Sequence, residues 1–407
     1  MSRSVAVIGG GAAGMMAAVF ASKAGDRVTL FEKNPGLGKK LYITGKGRCN
    51  VTNNCDAQTV IANTPTNGRF LYSALDRFSP ADTMAFFEDR GLKLKTERGN
   101  RVFPVSDRAG DVVDVLKKEV TDSGCRVEHS AVTAVLAENG RVTGVEAGGR
   151  LRCFDKVIIA CGGRSYPLTG STGDGYRFAE ALGHRIVPLK PSLVPLETVE
   201  KPTPEMDRLL MKNTAITLLD SERGRKLYTD FGELQFMRYG VTGATVLSAS
   251  SHIRDMRSGR YKLILDLKPA LSEEKLDARL QREIAADKGR SYEYMLHSLL
   301  PSAMIGYFIP VTGIPAGKGC SELTRADRRC IIERLKGFTL TIKGFRPIEE
   351  AIITSGGADV KEIDPKTMES KLVKGLYFAG EVIDVDCYTG GFNLQAAFST
   401  GVLAGEG

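Results

Sequence analysis

Three glycines and one acid carry the first chemical signal in this sequence. Gly9-x-Gly11-x-x-Gly14 follows directly on the apolar run Val5-Ala6-Val7-Ile8, and Glu32 closes a second run, residues 27–31. In such a pattern each glycine has its own task. Gly9 permits a tight turn, Gly11 lets backbone approach a pyrophosphate, and Gly14 lets a helix lie against a strand. The phosphates would rest on free N–H groups at the positive end of that helix, where Ala12 and Ala13 stand. The Glu32 carboxylate is placed to accept the hydroxyls of an adenosine ribose. Two competing readings, a glycine-rich turn and a signal peptide, leave Glu32 unexplained, and a signal would not place three glycines in its apolar region.

Further residues extend this chemistry. The loop 33–53 is rich in glycine and cations, and Lys39, Lys40, Lys46 and Arg48 are suited to phosphate or another anion. A solvated basic loop is the plain alternative. Cys49 has no redox partner at motif spacing and reads as a packing residue. The apolar run 157–160 leads into Cys161-Gly162-Gly163, a small-residue exit able to approach the same dinucleotide. Near the chain end, residues 376–379 lead into Gly380-Glu381, with Asp384 close behind. A carboxylate there can bind the ribityl hydroxyls of a flavin. Gly390-Gly391 then opens a helix over 393–403, with Asn393, Leu394 and Gln395 in its first turn. Its positive end would favour the charge that a reduced flavin gathers near N1 and the C2 carbonyl.

The elements that must position these residues alternate strand and helix at both ends of the chain. Residues 79–123 read as helical, with Ser79-Pro80 as one start and 111–120 as a second helix. The period then changes to two, and 126–135, 142–147 and 150–154 read as a meander turning at Asn139-Gly140 and Gly148-Gly149. Pro188, Pro191 and Pro195 mark a boundary. Short strands at 215–219, 226–229 and 261–267, with a helix at 243–250, indicate a small barrel or sheet domain. Helices capped by Ser272 and Thr324 fill 271–336.

The 407 residues allow two or three domains, and 42% apolar with 26% charged residues is an ordinary globular composition. No apolar run reaches the roughly 20 residues that cross a bilayer. Eight cysteines without a C-x-x-C pair, and four histidines, argue against a metal site and a disulfide scaffold and fit a cytoplasmic protein. The net charge of +8 is spread along the chain, so a solvated surface is expected rather than a nucleic-acid partner.

The glycine fingerprint, the Ala-Cys-Gly-Gly exit and the terminal Ala-Gly-Glu…Gly-Gly-Phe-Asn-Leu-Gln together resemble an FAD-dependent oxidoreductase of the BaiN-like bacterial flavoprotein family. Gly-Lys-Lys…Thr-Gly-Lys-Gly-Arg-Cys-Asn50, Thr-Gly-Ser-Thr-Gly-Asp-Gly175 and Thr367-Met-Glu-Ser-Lys371 carry the likeness over nearly the whole chain. It implies an α/β fold: a Rossmann-like FAD-binding domain formed by both chain ends (1–189 and 345–407), an inserted β-barrel domain (190–270 and 337–344), and a helical insertion within that (271–336). It places Gly11, Ala12, Ala13, Glu32, Lys33, Lys39, Arg48, Asn50, the Val132 backbone, Gly162, Glu381, Asp384, Asn393 and Gln395 around FAD. Gly9, Gly14, Lys40, Thr44, Cys161, Gly163, Gly380, Gly391 and Leu394 complete the expected site. One departure is Thr242-Gly243-Ala244, where the family tends to Ser-Gly-Pro.

The resemblance implies NAD(P)H-linked reduction of a conjugated C=C in a 3-oxo bile-acid or steroid-like enone. NAD(P)H would dock transiently, since no second strand–GxGxxG–helix unit exists. The alternatives are a flavin amine oxidase for a small amine such as aminoacetone, with dioxygen, and an RNA-binding or regulatory flavoprotein. Tyr388 and Arg48 are candidates for a proton donor, and none is assigned.

Overall fold

The computed structural model describes residues 2–407. It divides into two compact units, one comprising the chain up to Ser192 with Pro347–Gly407, the other Leu193–Arg346.

The first unit is built on a parallel sheet of five strands: β1 (Ser4–Ile8), β2 (Arg27–Phe31), β3 (Arg126–Glu128), β4 (Lys156–Ile159) and β5 (Leu376–Phe378). Their order is β5-β4-β1-β2-β3, so both chain ends contribute to one sheet. The central strands read as near-continuous apolar runs because both faces are covered. On one side lie α1 (Ala12–Lys23) and α2 (Phe392–Glu406). Gly401 and Gly405 let α2 press onto α1: a Cβ at Gly401 would stand 2.5 Å from the Ala13 carbonyl oxygen, and one at Gly405 2.6 Å from that of Ala17.

The alternation at 126–135 conceals a break. Arg126–Glu128 pairs in parallel with β2, and the antiparallel meander begins only at Val132, running Val132–Glu138, Arg141–Ala147, Arg150–Cys153. Its turns fall where glycine pairing indicated, with Asn139, Gly140, Gly148 and Gly149 all at positive φ. Residues 79–123 are likewise not wholly helical. Pro80–Glu88 starts from a reciprocal Ser79–Asp82 cap and Ala109–Asp122 follows, but the hairpin Leu94–Glu97 with Arg101–Pro104 stands between them.

The second unit contains a closed six-stranded barrel whose longest strands, Leu210–Asp220 and Arg225–Met237, pair antiparallel. The helices Glu273–Ala286, Ser302–Thr312 and Arg325–Lys336 bury Leu280, Phe308 and Ile331 in the same apolar cluster as barrel residues Leu263 and Phe338. This α/β architecture, a parallel sheet with a barrel inserted between its strands, is the fold class expected from the sequence.

Candidate functional site

A long cleft opens at the C-terminal ends of β1, β4 and β5, enclosing about 1490 Å³ counting the solvent at its mouth. The glycine loop forms its floor. Gly9 is at φ +108°, and a Cβ there would meet the Ala160 carbonyl oxygen at 2.5 Å. Gly14, one turn into α1, lies so close to the Gly9 oxygen that no side chain fits. Gly11 faces open space, with nothing within 4 Å of where its Cβ would be. The first N–H groups of α1, at Gly11, Ala12 and Ala13, therefore border the cleft without acceptors of their own in the helix.

Glu32 is buried at the end of β2 and is already a hub. Its Oε2 accepts from Gly10 N at 2.8 Å, and its Oε1 accepts from Asn34 N and Nδ2, both at 2.7 Å. A carboxylate has about four acceptor positions, so one remains open. Glu381 is built the same way. Lys40 Nζ donates at 2.7 Å, Thr354 N at 2.8 Å and Ser165 Oγ at 3.1 Å. Lys33 reaches across to Asp174 (2.6 Å) and Thr172, whereas Lys39 lines the cleft with an exposed side chain. Thr44 donates to the Leu41 carbonyl. Cys161 lines the wall, and burial, with Asp174 adding to it, pushes its thiol up to about 12. It is thus an inert packing thiol. Gly162 and Gly380, both at positive φ, and Val132 complete this part.

At the other end α2 begins at Gly391, which at φ +98° packs against the Thr52 carbonyl. Asn393 pins the preceding segment, its Oδ1 accepting from Cys387 N and its Nδ2 donating to the Cys387 and Tyr388 carbonyls. Asn393, Leu394 and Ala397 line the cleft, so the positive end of α2 is turned to it.

Other candidates stand behind the wall. Arg48 is held by Glu97 at 2.5 Å and Asp107 at 2.6 Å and stacks on Phe103. Asn50, in the amide orientation that satisfies both its ends, accepts from Gly391 N at 2.9 Å and so braces α2 from below. Gln395 is fully buried. Its Oε1 accepts from Thr52 and Thr83 hydroxyls, and its Nε2 donates to the Phe78 carbonyl and Ser399. Gly163 packs against Thr354 and Glu381. Asp384 is buried beside Asp386; it accepts from Asn67 and Gly356 N, and burial, then Asp386, raises its pKa. The cleft also uses Asn34, Ser130, Ile352 and Ile353, which the sequence did not single out, together with residues 169–171. The quoted string ending at Gly175 contained three of these. No group of side chains among the described residues could hold a metal ion, and no helix is long and apolar enough to cross a membrane.

Comparison with known proteins agrees with this geometry. The chain matches the HI0933-like protein Rossmann domain family over residues 3–407. It is 31% identical to the 3-dehydro-bile acid delta(4,6)-reductase of Clostridium scindens, over 99% of this chain and 98% of that one. It is 30% identical to the ribosomal RNA dihydrouridine synthase of Escherichia coli, over 97% of this chain and 95% of that one. Among solved structures, the 3-ketosteroid delta1-dehydrogenase of Sterolibacterium denitrificans shares the fold with a TM-score of 0.53 at 14% identity, covering 99% of both chains. A dinucleotide cleft at the ends of a parallel sheet, a barrel inserted between its strands and a match along almost every residue lead to one conclusion: the chain belongs to the HI0933-like Rossmann family.

Proposed function

We propose that this chain is an ene reductase that adds hydrogen across a C=C conjugated to a carbonyl. FAD-dependent oxidoreduction is the broader class in which the family relationship and the cleft put it. The cleft fits FAD on its own features: Gly11 leaves space for a pyrophosphate, and Glu32 and Glu381 each keep one acceptor position for a sugar hydroxyl. Residues Gly9–Ala13 would hold the phosphates and the N-terminus of α2 the flavin N1–C2 edge. When bound, FAD supplies a hydride donor and acceptor in one ring. The chain's own part is positional. Lys40 orients Glu381 through a 2.7 Å ion pair, Asn393 fixes the first turn of α2, and Leu394, Val385 and Ile353 form an apolar wall.

One observation carries the reaction type. Two relatives matched over 95% or more of their length have names that describe saturating a C=C, one in a 3-dehydro steroid acid, one in uridine. In both rings the double bond is conjugated to a carbonyl. The favoured substrate is a 3-oxo bile-acid or steroid-like enone, with NAD(P)H as donor. A second reading, a uridine in RNA, is favoured by charge: Leu193–Arg346 carries 25 lysines and arginines against 19 aspartates and glutamates, +6 of the chain's +8.

The test is anaerobic. NADH or NADPH should bleach the flavin, and a 3-oxo-4-ene steroid should restore the yellow colour with one equivalent of saturated product. Reoxidation by a uridine-containing rRNA fragment, with dihydrouridine formed, would select the second substrate. Bleaching by aminoacetone but by neither nicotinamide would overturn ene reduction in favour of an amine oxidase.

A further inference from the structure

The barrel unit has a groove of its own, formed where strand Leu210–Asp220 meets the start of helix Glu273–Ala286. Its lining contains no acid. The strand register skips between Met211 and Thr214, a bulge that swings Lys212 out of the ladder. Lys268 and Arg279 stand on the groove's other side, Arg279 held by Glu283 at 3.4 Å and donating to the Ser298 carbonyl at 2.7 Å. Lys268 is half-buried, and burial, then Arg279, lowers its pKa. Among the described residues, neither the Lys212 nor the Lys268 ammonium has a carboxylate partner. Between these cations Phe231 is 49% exposed and Leu210 42%.

Ammonium groups without carboxylate partners beside an exposed aromatic ring make a surface complementary to a ligand that is both anionic and flat. We infer that this groove binds single-stranded RNA, with a base stacked on Phe231 and backbone phosphates on Lys212, Lys268 and Arg279. Stacking on an aromatic tolerates any base, and cations along the groove follow the backbone. The charge of the unit complements such a ligand. The inference rests on the uridine reading and gives it a docking surface apart from the cleft.

The experiment uses the full-length flavoprotein and a fluorescein-labelled oligouridylate of roughly 12 nucleotides, read by anisotropy over a salt series. Three phosphate contacts to a single strand give a log Kd against log salt slope of magnitude about 2. Phe231→Ala should weaken binding roughly tenfold with the slope unchanged. Lys268→Ala and Lys212→Ala should each lower the slope by about 0.7. An unaltered far-UV circular dichroism spectrum and thermal melting profile certify that each variant is folded. Tight RNA binding that all three variants retain would overturn the groove while leaving the uridine reading standing. Absence of binding by the wild type at low salt would overturn both. Steroid-dependent reoxidation of the flavin is scored separately and depends on neither.

Discussion

Glu32→Ala separates two roles that one carboxylate can play. In the structure Glu32 holds the glycine loop through Gly10 N and the following turn through Asn34. Removing it leaves the Gly10 N–H without that acceptor, and a buried polar group left unpaired costs about 1–3 kcal/mol. Asn34 is partly rescued, because its Nδ2 also donates to the Thr169 carbonyl at 3.1 Å. The loss for the apoprotein is therefore about 2–4 kcal/mol, which lowers the melting transition of a unit this size by roughly 5–15 °C. If the same carboxylate also accepts a ribose hydroxyl, a further charge-assisted bond of about 1.5–3 kcal/mol is lost on binding, a weakening of FAD by roughly 10–150-fold. Differential scanning fluorimetry of the apoprotein and fluorescence titration with FAD read the two effects independently. An apoprotein that melts at the wild-type temperature would refute the clamp, and an unchanged FAD Kd would remove Glu32 from the cofactor site.

Three more variants test the surroundings. Gln395→Leu leaves the Thr52 and Thr83 hydroxyls without their shared acceptor, so chemical denaturation should show a loss of about 2–4 kcal/mol while the bound flavin spectrum stays as in the wild type. Lys156 is buried beneath the Tyr377 ring and donates to the Gly405 carbonyl, and burial, reinforced by Arg3, pulls its pKa from 10.5 to about 7. The unfolded chain thus takes up the proton at higher pH than the folded one, so stability rises between about pH 7 and 10.5 and is level below 7. Lys156→Met should lack this rise, and denaturation at pH 7 and 9 should show the wild type gaining on the variant as pH increases. Gly401→Ala gains about 1 kcal/mol of helix propensity but pushes a methyl into the Ala13 carbonyl, an overpacking cost of about 1–3 kcal/mol. Its melting temperature should not rise, and its FAD affinity should fall; a more stable variant with full affinity would contradict the tight crossing.

What the sequence made legible is what is local. Gly9, Gly11, Gly14 and Glu32 announce themselves because a turn, a helix start and a strand end occupy neighbouring residues, whereas the alternating strands of the middle region fitted a barrel or an open sheet alike, since closure depends on pairing between distant strands. Arg48 and Gln395 were less transparent. Their partners, Glu97 and Asp107 for one, Thr52 and Thr83 for the other, lie tens to hundreds of positions away, and no spacing reveals them. Arg126–Glu128 merged with the meander because three residues are too few to display a period. The hairpin at residues 94–104 was hidden between two helices, the first opened by a Ser79–Asp82 cap, whose signals were stronger.

The glycine crossing of α1 and α2 has a mechanical meaning. Backbone rests on backbone at Ala13–Gly401 and Ala17–Gly405, without side chains to yield between them. The two helices therefore act as one stiff crosspiece whose two tips lie at opposite ends of the same cleft. A displacement of either tip is carried to the other, because a close-packed contact resists compression far more than a cushioned one. Seating a pyrophosphate at the first tip consequently sets the height of the second, where the electron-carrying ring would be held. Grip on the nucleotide and tuning of the redox end become a single adjustment.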